Sequence, residues 1–200
     1  MTPFTSPDDT FENHTFTRIT FAGEPVRGRE FHECQFSHCS WREATFQKCR
    51  FNDCTFQDCD LSLVNLEGCT FRNTQFKTCK LMGVNWAIAK WPKFSQPSPI
   101  QFDACTLDYA SFRGLRLAKI RFTDCFLREV DFSEADLTEA DFGGAVLSRS
   151  QFSQTNLTRA NFVGATEYVI NPTLNRLSQA KFSLPEALSL LYGLDIRLVE

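Results

Sequence analysis

Large apolar residues recur at every fifth position along almost the whole of this chain, and a period of five admits few folds. From Phe11, steps of five land on Phe16, Phe21, Val26, Phe31, Phe36, Trp41, Phe46, Phe51, Phe56, Leu61, Leu66, Phe71, Phe76, Leu81, Trp86 and Trp91. The register slips by one across Trp91 to Gln101, resumes at Phe102, and continues in fives to Phe162. Two residues before each centre lies a second selected position, filled by small or branched side chains such as Ala44, Val64, Ala110 and Ala135. Neither the 3.6-residue period of an α-helix nor the two-residue period of a strand turns one residue in five inward over so many steps. A four-sided coil does. Each five-residue unit forms one side, the large residue and the small one point inward, and coils stack by parallel-strand hydrogen bonding at about 4.8 Å per turn.

All nine cysteines, Cys34, Cys39, Cys49, Cys54, Cys59, Cys69, Cys79, Cys105 and Cys125, fall on the small inward position. A free thiol behaves there as a small hydrophobe. An odd count cannot pair completely, and no C-x₂-C spacing suggests zinc. A column of thiols one coil apart also lacks tetrahedral convergence, so neither metal nor other cofactor is expected. The three histidines, His14, His32 and His38, adjoin no nucleophile motif, and no glycine-rich phosphate loop is present, so no catalysis is expected.

The charge balance excludes other classes. A formal net charge of −3 is not the basic footprint of a nucleic-acid binder, so no direct nucleic-acid contact is expected. No run of about 18 apolar residues exists, and the N-terminal stretch MTPFTSPDDTFENHTF lacks the basic flank and apolar run of a signal peptide. The expected setting is the cytosol, with no membrane contact.

Three departures from the period mark places for particular work. The inward small positions of the first coil would hold Asp9, His14, Glu24 and Arg29, and burying unpaired charge is costly, so residues 1–30 are expected to form an irregular cap. The regular coil would then run over residues 31–165. It is interrupted at 91–101, where Trp91, Pro92, Phe94, Pro97 and Pro99 form either a structural bulge or a partner-contacting loop. Residues 166–200 make the third departure. Ser183 to Glu186 matches a capping box, Leu184, Ala187, Leu188 and Leu191 lie at helical spacing, and Leu194, Ile196 and Leu198 alternate like a strand. Such a tail either covers the open end of the coil or meets its own copy across a two-fold axis.

The units ADLTE, ADFGG, ANFVG, CTFQD and CDLSL resemble the pentapeptide-repeat family, over roughly residues 11–165. That resemblance implies an all-β fold, a right-handed quadrilateral parallel β-helix with a short C-terminal helix. CDLSLVNL (59–66), CKLMGVNWAIAKWP (79–92) and FSLPEALSLLYGLDI (182–196) are further similar to the family's DNA gyrase-protecting subgroup, which includes albicidin-resistance, microcin B17 immunity and Qnr quinolone-resistance proteins. The narrower resemblance implies gyrase as partner, with topoisomerase IV as a second candidate, homodimerisation through the tail, and protection of the enzyme from a poison.

Dimension and charge bear on duplex mimicry in opposite directions. Roughly six and a half to seven and a half coils of about 4.8 Å would make a tube some 31 to 36 Å long, and two end to end would match about 18 to 21 base pairs. Yet DNA carries about one negative charge per 1.7 Å, far above what this chain offers, so wholesale polyelectrolyte mimicry is not expected. Charge is concentrated locally. Asp124, Glu129, Asp131, Glu134, Asp136, Glu139 and Asp141 stand at outward positions, with Arg128 the one base among them. This acidic band is either a solvated face or a surface that docks on the basic DNA-binding groove of gyrase.

Overall fold

The computed structural model describes residues 10–21, 23–92, 98–194 and 196. Strands pair in parallel with partners twenty residues on: Phe11 with Phe31, Phe31 with Phe51 and Phe51 with Phe71 on the first side of the coil. Phe16, Phe36, Phe56 and Phe76 align in the same way on the second. Bridges from Thr20 through Ser40, Asp60 and Lys80 run along the third side, and Val26 pairs with Phe46 on the fourth. Five residues to a side and four sides to a turn give a parallel β-solenoid of about eight turns with one short helix, the all-β coil that the period predicts. Among the described residues, no helix is long and apolar enough to cross a membrane.

The centres are the core. Nine phenylalanines of the second side, from Phe16 to Phe182, stack ring on ring without a break, with centroids 4.6 to 5.4 Å apart. Rings on adjoining sides meet edge to face, as Phe31 and Phe36 do at 5.5 Å, so each layer is filled by offset aromatic contacts.

Chain reversal at the corners falls to the residue two after each centre. Twenty-three described non-glycine residues take left-handed backbone, with φ between 48° and 63°, and all but Glu167 stand at that place. This conformation costs roughly 1–2 kcal/mol for a residue with a Cβ, so ladder and core together hold corners that local preference resists.

The nine cysteines are free and buried. Cys39, Cys59, Cys79, Cys105 and Cys125 form one column on the third side. Each of the first four backbone N–H groups donates to the thiol one coil on, at 3.4 Å. The thiols in turn donate to carbonyls of the preceding coil, as Cys59 does to Phe36 at 3.4 Å. Thr74 and Thr155 use their hydroxyls in the same way, toward Phe51 and Phe132. The position therefore selects a small side chain that can also bond a neighbouring peptide. Burial pushes the Cys125 thiol far above its ordinary range.

Three boundaries differ from the sequence expectation. The coil is already formed at Thr10–Glu12, with Phe11, Phe16, Phe21 and Val26 buried, rather than starting near Phe31. His14 and Glu24 remain exposed at the open end and Arg29 is half-buried, which lowers the burial penalty that argued for a cap; Asp9 lies outside the described residues. At the other end the coil does not stop at 165: Lys181–Phe182 pairs with Asn161–Phe162, and Arg176 bridges to Asn156. In the middle, partners are 26 residues apart, as in Cys79 to Cys105. The interruption is thus six extra residues at one corner between Trp91 and Phe102, and the four columns keep their register across it. The extra turns at both ends bring the count above the expected range.

Candidate functional site

Placed on the coil, the acidic band is threaded with partners from neighbouring turns. Asp131, Asp136 and Asp141 precede their centres, and each Oδ1 accepts a backbone N–H two residues on: Ser133 at 2.9 Å, Thr138 at 3.1 Å and Gly143 at 3.0 Å. Asn156 and Asn161, one coil further, donate to Asp136 and Asp141. These carboxylates close corners. Glu129 pairs with Arg149 and Glu134 with Arg113, while Glu139 lies 3.6 Å from Lys119 and 3.8 Å from Arg159. Arg128 turns away to Asp108, whose buried carboxylate accepts from the arginine's backbone N–H and Nε, both at 3.0 Å. Asp124 has no ion pair among the described residues, and its carboxylate lies over Gly144. A linear count finds one base among seven acids because the neutralising bases lie about twenty residues away in the chain and one turn away in space.

The interruption is anchored at both roots. Trp91 is half-buried, stacks on Phe71 at 5.9 Å and donates its indole N–H to the Trp86 carbonyl at 2.8 Å. Pro92 is exposed, whereas Pro99 is buried and its carbonyl accepts the Thr74 N–H at 2.9 Å. Phe94 and Pro97 lie outside the described residues.

Glu186–Leu194 forms a 3₁₀-helix, not the α-helix on which the apolar stripe was drawn. Three residues per turn regroup the side chains. Leu190 and Gly193 line the side toward the coil, where a Cβ on Gly193 would come within 2.8 Å of Pro172, and Ala187 is half-buried. Leu188 and Leu194, with Tyr192, face outward; Leu191 is half-buried, and Leu184 precedes the helix, 76 % exposed. The expected capping box does not close, since the Ser183 hydroxyl accepts instead from Gly164 N–H. Nor does a strand begin at Leu194, which ends the helix; Ile196 is exposed in no regular element, and Leu198 lies outside the described residues. The buried Tyr168 hydroxyl and, in the helix itself, the buried Ser189 hydroxyl have no hydrogen-bond partner among the described residues. Burial, then the Glu186 charge, pushes the Tyr168 phenol upward.

A feature that the sequence reading missed lies on the third side. Leu63, Tyr109 and Phe126 are 49 %, 58 % and 47 % exposed, with Met82 and Val146 half-buried beside them. Phe126 could have been noticed, because it is a phenylalanine at an outward position between two centres.

The period, the four-sided coil and the thiol columns converge on a known family. The family model described as a pentapeptide repeat region matches residues 29–112 and 93–162. The chain belongs to the pentapeptide-repeat family. No curated protein matches it in sequence. Among solved structures of the family, a trypsin-treated variant of QnrB1, a plasmid-mediated fluoroquinolone resistance protein, superposes with a TM-score of 0.70 at 17 % identity, covering 96 % of this chain and 99 % of that one. A pentapeptide-repeat protein involved in heterocyst differentiation regulation, HetL from the cyanobacterium Nostoc sp. strain PCC 7120, superposes with a TM-score of 0.66 at 16 % identity, covering 86 % and 84 %. At these identities the likeness establishes the shared fold.

Proposed function

We propose that this protein binds DNA gyrase and protects it from a topoisomerase poison, acting by binding and not by catalysis. The observation that carries the reading is the pairing of a coil comparable to QnrB1 over nearly both chains with an outward apolar tail at one end. The likeness of segments 59–66, 79–92 and 182–196 to the gyrase-protecting subgroup supports it. Leu184, Leu188, Tyr192, Leu194 and Ile196 then meet their copies across a two-fold axis. About eight turns of about 4.8 Å make each protomer roughly 38 Å long. Because ion pairs neutralise Glu129, Glu134 and Glu139, docking on a basic groove falls chiefly to Asp124 and to the outward oxygens of Asp131, Asp136 and Asp141.

The test is a pull-down with each gyrase subunit and with topoisomerase IV, followed by supercoiling assays in the presence of albicidin, microcin B17 or a fluoroquinolone. Binding and restored supercoiling are expected with at least one poison; failure in every arm refutes the reading. Deleting residues 183–200 should yield a monomer by light scattering, and a folded dimer after deletion removes the tail from the interface. A second reading, a coil that scaffolds a different protein partner, is favoured by the likeness to HetL, and a null result with both topoisomerases would leave it standing.

A further inference from the structure

Outward positions of the coil are overwhelmingly polar, and the third side departs from that rule over several successive turns. Leu63 lies across Gly83, whose absent Cβ makes room for it: an added Cβ would stand 2.6 Å from Leu63 Cδ2. The Gly83 N–H bonds to the Asp108 carbonyl at 2.8 Å, which places Tyr109 next along that corner. Phe126 bridges Thr106 and Val146 on the adjoining flat of the same side. Arg128 lies beside Phe126, held in place by the buried Asp108, with its guanidinium carbon 5.9 Å from the centre of the Phe126 ring. Exposed aromatic, methionine and rigid arginine side chains are the composition of an interface centre, where little conformational entropy is lost on binding.

The occupant follows from what this side lacks. Its backbone N–H and C=O groups are engaged between coils, so no open edge accepts an added strand and recognition must come from side chains. The stripe crosses four coil steps from Leu63 to Val146, about 19 Å, which is the length of roughly 13 helical residues. A helical turn of about 5.4 Å nearly matches the coil repeat, so one apolar side chain per turn can meet each coil. Lys80 stands exposed on this side with no ion pair among the described residues, whereas Arg128 is already paired with Asp108. The unpaired Lys80 calls for acid on the flank of the incoming helix. We infer that the stripe of Leu63, Met82, Tyr109, Phe126 and Val146 docks an amphipathic helix of the protected enzyme, apolar on one face and acidic along its edge; this rests on the gyrase reading above.

The experiment measures the affinity of the assembled gyrase tetramer for the wild-type protein and for Phe126→Ser, Tyr109→Ser and Lys80→Glu, each first shown to melt like wild type. Glu33→Gln, on the first side, serves as control. Each substitution on the stripe is expected to weaken binding at least about tenfold, and the control to leave it unchanged. Hydrogen exchange of gyrase in the complex should place the new protection on a helix. Wild-type binding with undiminished affinity in all three variants, or protection confined to a strand or loop of gyrase, overturns the inference while leaving the function intact. No binding by the wild-type protein overturns the function, and the inference with it.

Discussion

At the scale of single residues, the same atoms that invite a chemical reading of this chain turn out to close its turns. Cys59 is 2 % exposed, accepts the Cys39 N–H and donates to Phe36, so it fills a slot whose volume and polarity are both specified. All nine thiols should label slowly in the folded protein and completely after denaturation. Cys59→Leu overfills the slot and should lower stability by about 1–3 kcal/mol in urea unfolding. The inward role of the cysteines was legible in the sequence because five-residue spacing is enough to place them. The roles of Asp131, Asp136 and Asp141 were not, since nothing in a linear string separates a corner-closing carboxylate from a solvated one. Asn65, Asn85 and Asn156 accept the same N–H two residues on. Accordingly Asp136→Asn should leave the melting temperature nearly unchanged, whereas Asp136→Ala removes the acceptor for Thr138 and Asn156 and should destabilise by about 1 kcal/mol. Equal melting of the two variants would contradict that role.

At the scale of elements, the sides of the coil could be read and its corners, ends and tail could not. Inward positions repeat every five residues whatever the corner does, so core and fold class follow from pattern alone. The corners demand left-handed backbone from residues as unsuited as Ala104 and Tyr109, with φ of 49° and 63°, and local preference gives no sign of it. Ala104→Gly relieves about 1–2 kcal/mol of strain against about 0.5–1 kcal/mol of added chain entropy, so a net gain of roughly 0.5–1 kcal/mol should appear as a higher melting temperature. A lower one would mean that the Ala104 methyl contributes packing. The tail is not legible because an apolar stripe at 3.6 residues per turn describes an α-helix, whereas these residues form a 3₁₀-helix. A three-residue turn directs Leu190 to the coil and leaves Leu188 and Leu194 outside. Phe182 was overlooked for a different reason: the units at 167 and 172 break the pattern, and only the twenty-residue turn links Phe182 to Phe162.

At the scale of the whole molecule, each turn touches only its two neighbours, so stability accumulates along the axis and the chain has no centre that all parts share. Its lack of a polyanionic face was legible from net charge, but its length was underestimated because coils form at both ends beyond the regular repeat, and the distribution of charge was not legible, because neutralisation of Glu129, Glu134 and Glu139 occurs across turns. Pairing across turns also means that the ladder bonds run parallel to the axis. Tension applied between the two ends therefore peels the coil open one turn at a time, loading the ladder bonds in succession rather than together. In a force–extension trace the turns should lengthen the chain in uniform increments of about 70 Å for twenty residues, with one increment of about 90 Å where the turn holds 26. The position of that single long increment in the series would report which end yields first, so the six-residue insertion doubles as a built-in fiducial mark on the rod.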